Sequence, residues 1–382
     1  MHDVPLGVTR PLVPPLYQAS VYALPDLDAL ERLSTGQEPG FIYARDNHPN
    51  AVALEEQLAT LEHGNWGLVF SSGMASLSAL LFALTQQGDR IVASRQLYGR
   101  TLQLLGPEAA RFGVTTTWVD STRLAEVEAA LATAPVPRFF LVETISNPLL
   151  RVADLTALAK ICTAQGTLLV VDNTFATPVL CRPLDHGASI VMESLTKMIG
   201  GHSDVTLGML AGSGDLIQRF RTVRSIWGLM ANPFDCWLTL RSLPTLDLRL
   251  RAASANAEAL AHWLPSQPGV VRVHYPRLTT HPDHALAQRL VPEGAGHMLA
   301  VELQGGRDGV NRFMRRATGI PFSPSLGDTF TTCSYPAGTS HRYMSPQERL
   351  EQGITDGLLR LSIGTERLAD IQRKLGEGLA EP

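Results

Sequence analysis

Between residues 66 and 206, short apolar runs rich in β-branched and aromatic residues alternate with longer stretches whose apolar positions recur at helical spacing. That alternation is the pattern of a parallel sheet whose strands are buried on both faces and joined by covering helices. It predicts strands at 66–70, 90–94, 115–119, 138–143, 167–172 and 188–192, and helices at 74–85, 101–112, 124–132 and 154–165. Polar residues end several of these strands, among them Ser71, Ser72, Glu143, Asp172 and Ser194. In an open α/β sheet this is the end at which ligands bind. A helical stretch over 232–264, interrupted at Pro244, leads into a region with fewer and less regular strands. The expected architecture is therefore α/β, with a mainly parallel sheet domain over 49–247 and a smaller α+β domain over 248–382. Residues 1–48 are rich in proline and turn residues and cannot form a core alone, so they are expected to lie as an arm on another surface or subunit.

Composition narrows the function classes. At 382 residues, 45% hydrophobic and 18% charged, the chain can build one large and one smaller core. Its formal net charge of -4 comes from dispersed residues, which leaves no electrostatic footprint for nucleic acid or an anionic membrane. No apolar run reaches the ~18 residues of a membrane span, and residues 1–7 lack the basic-then-apolar pattern of a secretory leader, so a cytoplasmic location is expected. Cys162, Cys181, Cys236 and Cys333 are far apart and form no CxxC pair. They point to buried small apolar side chains, with neither a metal site nor a disulfide framework.

Candidate chemistry gathers around one lysine. Lys197 stands between an apolar strand and the turn Gly200-Gly-His-Ser-Asp204. Desolvation at the end of a buried strand favours a neutral amine, which makes Lys197 a candidate Schiff-base nucleophile. The segment alone fits a surface lysine equally well. Phe70-Ser-Ser-Gly-Met-Ala-Ser76 ends a strand and opens a helix, and its glycine lets backbone N–H groups approach an anion; turns of this kind also simply cap helices. Ser194 and Thr196 are two positions apart, so on an extended backbone their hydroxyls point the same way and can complete a phosphate shell. Asp172 follows a buried strand directly and needs a partner: a structural cation, a helix end, or the nitrogen of a pyridoxal ring, whose proton a carboxylate would hold in place. Arg360 is the lone arginine of a strand-like run and must find an anion if its head is buried.

A set of ordered segments carries a wider likeness: Tyr43-Ala-Arg-Asp-Asn-His-Pro-Asn50, Ser71-Ser-Gly-Met-Ala75, Leu97-Tyr-Gly99, Glu143-Thr-Ile-Ser-Asn-Pro148, Val171-Asp-Asn-Thr-Phe-Ala-Thr-Pro178, Ser194-Leu-Thr-Lys197, Ser325-Leu-Gly327 and Leu359-Arg-Leu-Ser-Ile-Gly364. In these, and over nearly its whole length, the chain resembles the Cys/Met-metabolism, or trans-sulfuration, family of pyridoxal-phosphate enzymes. The resemblance implies an aspartate aminotransferase-like fold of type I and pyridoxal 5'-phosphate as cofactor. It implies that Lys197 holds the cofactor covalently, Asp172 pairs with the pyridine nitrogen and Tyr98 stacks on the ring. Gly73 and Met74 would offer N–H groups to the phosphate, joined by Ser194 and Thr196. Tyr43 and Arg45 would reach the phosphate of a neighbouring subunit, as in a homotetramer built from dimers with shared sites. Arg360 would clamp the α-carboxylate of a small amino-acid substrate, assisted by Ser325 and Asn147, with Asn147 also near the cofactor's phenolic oxygen.

The activity implied is γ-elimination from a sulfur amino acid, as in methionine γ-lyase, with Lys197 and Tyr98 as the catalytic groups. The alternatives are γ-replacement on an O-acylhomoserine, as in cystathionine γ-synthase or a homoserine sulfhydrylase, and a cystathionine γ- or β-lyase. Three departures bear on the choice. Arg100 follows Leu97-Tyr-Gly99 where methionine γ-lyases usually carry cysteine and many synthases glycine, which argues against a strict methionine γ-lyase. Pro324 precedes Ser325 where cystathionine enzymes tend to place a glutamate, and Asp328 and then Phe330 follow Gly327, so the usual acidic residue a few positions beyond the glycine is also absent. A non-catalytic cofactor-binding regulator could tolerate loss of Lys197, Asp172 or Arg360, and all three are present. A plain nucleotide-binding domain would show GxGxxG after the first strand, which is absent.

Overall fold

A computed structural model describes residues 8–380. Seven strands form the larger sheet: β1 (Trp66–Phe70), β2 (Arg90–Ser94), β3 (Thr115–Val119), β4 (Phe139–Glu143), β5 (Leu168–Asp172), β6 (Ile190–Glu193) and β7 (Gly208–Gly212). Their order is β1-β7-β6-β5-β4-β2-β3. From β3 to β6 the pairs are parallel, while β7 is antiparallel to both β6 and β1. All six expected strands are present. β7 is additional to them, because a five-residue run with glycine at both ends and alanine within carries little strand propensity of its own. It pairs because β1 and β6 leave a slot one strand wide.

Helices Gly73–Leu84, Leu124–Ala132 and Leu155–Ala164 cover the sheet near their expected bounds. The first and third are capped by Ser72 and Asp154, whose side chains accept from Ala75 N and Ala157 N. The expected helix at 101–112 is instead three pieces: Gly99–Gln103, a π turn over Leu104–Glu108 and Ala109–Arg111. Pro107 sits inside the π turn, and its missing N–H breaks the i→i−4 ladder there. The stretch at 232–264 resolves into Pro233–Ser242 and Leu246–Trp263, with a 3-10 turn at Leu243–Thr245 taking up Pro244.

Four antiparallel strands make the second sheet: β8 (Val270–His274), β9 (Met298–Leu303), β10 (Thr332–Ser334) and β11 (Leu358–Ser362), in the order β10-β11-β9-β8. Every residue of the inner strand β11 is buried. Val171 of β5, Leu250 and Ala257 of the Leu246–Trp263 helix, and Leu359 of β11 belong to one apolar cluster, so a continuous core links the two sheets. All four cysteines are buried.

Before the first long helix of the sheet domain, the described residues include a short helix, Leu27–Ser34, capped by Asp26. The arm is tied down at a few points: Asn50 accepts from Tyr17 N at 2.9 Å and donates to Pro15 O at 2.8 Å, and Trp237 Nε1 donates to Pro14 O at 2.8 Å. Val8, Leu12, Val21 and Leu27 are exposed. Residues 1–7, where no secretory leader is expected, lie outside the described residues. Among the described residues no helix is long and apolar enough to cross a membrane.

One buried ion pair ties the arm side to the sheet. Arg224 donates to Glu55 and, at 3.1 Å, to Val69 O in β1, while Glu55 accepts from Val69 N at 3.1 Å and Arg224 reaches Asp46 O at 3.0 Å. Both side chains are almost wholly buried. Glu55→Ala leaves the guanidinium charged and unpaired, so a loss of about 3–5 kcal/mol in stability is expected from urea unfolding; a loss under about 1 kcal/mol, the range of exposed pairs, would contradict it.

Candidate active site

The carboxyl ends of β4, β5 and β6 meet β11 around a cavity of about 550 Å³, within the usual size range of small-ligand sites. Its floor is acidic. Glu143 and Asp172 close β4 and β5 and stand opposite each other in register. Asp172 Oδ1 accepts from Thr174 N at 3.0 Å and Thr174 Oγ1 at 2.6 Å, and Thr174 Oγ1 accepts from Ser194 N at 2.9 Å. Burial raises the Asp172 carboxyl above its ordinary range. Burial and then the Asp172 charge push Glu143 well above its own, although Tyr98 N and Asn147 N donate to it at 2.7 and 2.9 Å. A cation between them would relieve both. Behind Asp172, Asn173 donates to Glu193 Oε1 at 3.0 Å, and burial lifts the neighbouring Glu62 carboxyl to about 7.

The opposite wall is cationic. Lys197 Nζ donates to Ser325 Oγ at 3.0 Å. Desolvation, and then the nearby Arg360 charge, lowers its amine to about 8. Arg360, in β11 and 4% exposed, donates to Asn147 Oδ1 at 2.9 Å and to Ser325 O at 3.4 Å. Burial lowers it to about 10, and the Tyr98 and Glu143 side chains oppose that shift. Ser325 thus touches both cations. It is brought there by Gly327, whose φ of 82° suits glycine and whose Cα lies so close to the Lys197 turn that a Cβ would stand 2.4 Å from Met198 N.

At one end the Gly73–Leu84 helix points its N-terminus into the cavity. The Ser72 hydroxyl caps Ala75 N, which leaves the Gly73 and Met74 N–H groups of the first turn without an intrahelical acceptor. A Cβ at Gly73 would lie 3.1 Å from Ser194 Oγ, so glycine keeps that space open beside the hydroxyl. The Ser194–Lys197 segment is not extended as expected. Lys197 N donates to Ser194 O at 3.1 Å in a turn that follows directly on β6, because the chain must reverse there to enter β7. Ser194 and Thr196 still line the cavity, but the Thr196 hydroxyl donates to Leu207 O and accepts from Leu207 N.

Tyr98 lines the cavity and is 40% exposed. Tyr43 and Arg45 do not line it; both are exposed on the arm side, with the Arg45 guanidinium 5.4 Å from the Tyr43 ring centre. Two features of the site go beyond what the sequence marks. Glu143 reads there only as a strand end, and its pairing with Asp172 depends on the strand order. The segment Gly338–Tyr343, which forms part of the mouth, carries no local signal at all.

The family model for Cys/Met metabolism PLP-dependent enzymes matches residues 5–380. The chain belongs to that family. It is 39% identical to O-succinylhomoserine sulfhydrylase of Pseudomonas aeruginosa, over 92% of this chain and 87% of the relative. It is 37% identical to L-methionine gamma-lyase of Pseudomonas putida, over 95% and 92%. A crystal structure of cystathionine gamma synthase from Xanthomonas oryzae pv. oryzae superposes with a TM-score of 0.91 at 37% identity, covering 96% of this chain and 92% of that one. The chain is thus a pyridoxal-phosphate-dependent enzyme of fold type I. Its residues fit the cofactor: a desolvated amine, a buried carboxylate without a cation, and helix N–H groups beside an open space at Gly73.

The lowered Lys197 amine has a measurable consequence. A folded pKa of about 8 means that the neutral, nucleophilic fraction rises tenfold per pH unit below that value and saturates above it. Capture of added pyridoxal phosphate by the apo-enzyme, followed by its absorbance change, is expected to quicken up to about pH 8 and then level off. Continued acceleration toward 10.5, the ordinary lysine value, would show that the amine is not desolvated.

Proposed function

We propose that the enzyme breaks the bond between the γ-carbon and a sulfur or oxygen substituent of an amino acid, releasing 2-oxobutanoate, ammonia and the thiol in the manner of a methionine γ-lyase. One observation carries it: the Lys197 amine and the Arg360 guanidinium both bond to Ser325 in a single buried cavity. A substrate whose α-carboxylate is clamped by Arg360 therefore presents its α-carbon to a base of moderate pKa. The relatives named above support the γ-carbon as the site of cleavage.

When bound, pyridoxal phosphate supplies an electron sink for charge developing at the substrate's α-carbon. Lys197 would hold it and, as a free amine of lowered pKa, would take the α-proton. Asp172 would keep a proton on the pyridine nitrogen, with Thr174 fixing the carboxylate. Gly73 and Met74 N–H and the Ser194 and Thr196 hydroxyls would hold the phosphate. Tyr98 would stack on the ring and assist departure of the γ-substituent. Arg360 orients the α-carboxylate, with Asn147 and Ser325 orienting Arg360, and Asn147 near the phenolic oxygen. Glu143 positions both Tyr98 and Asn147 through their backbone N–H groups.

Tyr43 and Arg45 are assigned to the phosphate site of a neighbouring subunit, in a homotetramer built from dimers that share sites, in the cytoplasm. Their exposure on the arm, away from the cavity of their own chain, supports this. A second reading, γ-replacement on an O-acylhomoserine, shares every step up to loss of the γ-substituent and differs only in whether a thiol or water captures what remains. Arg100 in the cavity wall stands where methionine γ-lyases usually carry cysteine and many synthases glycine, so it speaks against a strict methionine γ-lyase without choosing between the two.

Product identity by mass spectrometry tests the assignment. Methionine, homocysteine or an O-acylhomoserine is expected to yield 2-oxobutanoate or a γ-replaced amino acid. Pyruvate alone, from cysteine or cystathionine, would mean β-elimination instead. Lys197→Ala is expected to abolish turnover and the bound-cofactor absorbance band, and Arg360→Gln to raise KM roughly 10- to 100-fold, the loss of one charge-assisted hydrogen-bonded contact.

A further inference from the structure

The α-carboxylate accounts for Arg360, but the cavity is lined by two more guanidinium groups. Arg100, two residues after Tyr98, and Arg342, in the lining segment Gly338–Tyr343, stand at its exposed side. Arg100 lies 4.6 Å and Arg342 4.8 Å from the centre of the same Tyr343 ring, and Arg342 Nη2 donates to the Tyr343 hydroxyl at 2.6 Å. The two cations are thus within roughly 10 Å of each other, about one Debye length at 0.1 M salt. Among the described residues neither forms an ion pair; the partner of Arg100 is the neutral Gln103 Oε1 at 2.7 Å. The acidic residues lining the cavity, Glu143 and Asp172, are both on its floor.

The two segments are locked together at Gly99. A Cβ there would fall 1.8 Å from Ser340 O, so only glycine lets the segment carrying Arg100 approach the one carrying Arg342. The arrangement brings two like charges to one aromatic ring without an anion to offset them. Ring quadrupole attraction holds each guanidinium in place, and two guanidinium forks fixed on one ring in the cavity wall offer their free N–H groups to an oxyanion.

We propose that Arg100 and Arg342 form a subsite for a negatively charged γ-substituent, so that the preferred substrate is a homoserine ester whose leaving group is an anion. A half-ester of a dicarboxylic acid and a phosphate monoester share this chemistry. This rests on the γ-cleavage proposed above, whichever nucleophile follows. The Cγ–O bond breaks with its electron pair on the departing oxygen, so the acyl group leaves as a dicarboxylate, or the phosphoryl group as phosphate. When water completes the reaction, one water is consumed and 2-oxobutanoate and ammonium are the other products, with no change in oxidation state overall. A distal ammonium, as in cystathionine, would meet two cations and no carboxylate, in keeping with Pro324 in the wall.

The test compares kcat/KM for O-succinyl-L-homoserine, O-phospho-L-homoserine and the uncharged O-acetyl-L-homoserine in the cofactor-loaded enzyme. A ratio of charged to uncharged ester of roughly 10 or more is expected, the size of one charge-assisted contact, falling as salt is raised. Arg100→Gln and Arg342→Gln, singly and together, are expected to lower that ratio toward one, through KM more than kcat, while the cofactor absorbance stays native. The anionic ester with the higher value identifies the leaving group. A wild-type ratio near or below one, or a ratio that the variants leave unchanged, overturns the subsite and leaves γ-cleavage standing. Failure to turn over any of the three esters or methionine overturns γ-cleavage itself.

Discussion

Burial of the Arg360 guanidinium is the constraint on which the site depends. β11 is an inner strand with every residue buried, so its one arginine has no route to solvent and must be satisfied where the two sheets face each other. Asn147 and the Ser325 carbonyl meet part of its donor capacity, and the Tyr98 and Glu143 side chains oppose the lowering that burial imposes. What remains is aimed at the cavity. A buried cation with unused donors binds a carboxylate more strongly than a surface arginine could, because water no longer competes.

The same lack of water sets the chemistry around it. Arg360 helps burial to lower Lys197, and Asp172 helps burial to raise Glu143, so the two walls are each held away from their ordinary ionisation states. Neither wall is at rest without a ligand. A molecule carrying a cationic ring nitrogen, a phosphate and a carboxylate offsets all of these costs together, which is why the cofactor and substrate fit as a pair.

Much of this is legible in the chain. The strands expected at 66–70, 90–94 and 115–119 coincide with β1, β2 and β3: β1 and β2 are short apolar runs buried along their whole length, while β3, a half-exposed edge, is marked by its β-branched and aromatic residues. Asp172, Lys197 and Arg360 stand out for a related reason: each is a charge set against an apolar run, and such a charge needs a partner. β7 has no comparable signal, since its glycines and alanine form a strand only between two existing edges. The turn at Ser194–Lys197 reads as extended in the sequence because nothing local marks where β6 must reverse to reach β7.

The sequence by itself determined the strand and helix periodicity, the family and the identity of the charged residues that the interior has to accommodate. Those follow from local spacing and from the cost of burying a charge, both readable along one dimension. Only the tertiary structure decided which groups meet: Glu143 beside Asp172 by strand register, Ser325 on Lys197 by the close approach of Gly327, and Arg342 beside Arg100 by the crossing at Gly99. The first depends on strand order within one sheet, and the other two join segments more than a hundred residues apart through the packing of the chain as a whole; no periodicity along the sequence encodes either.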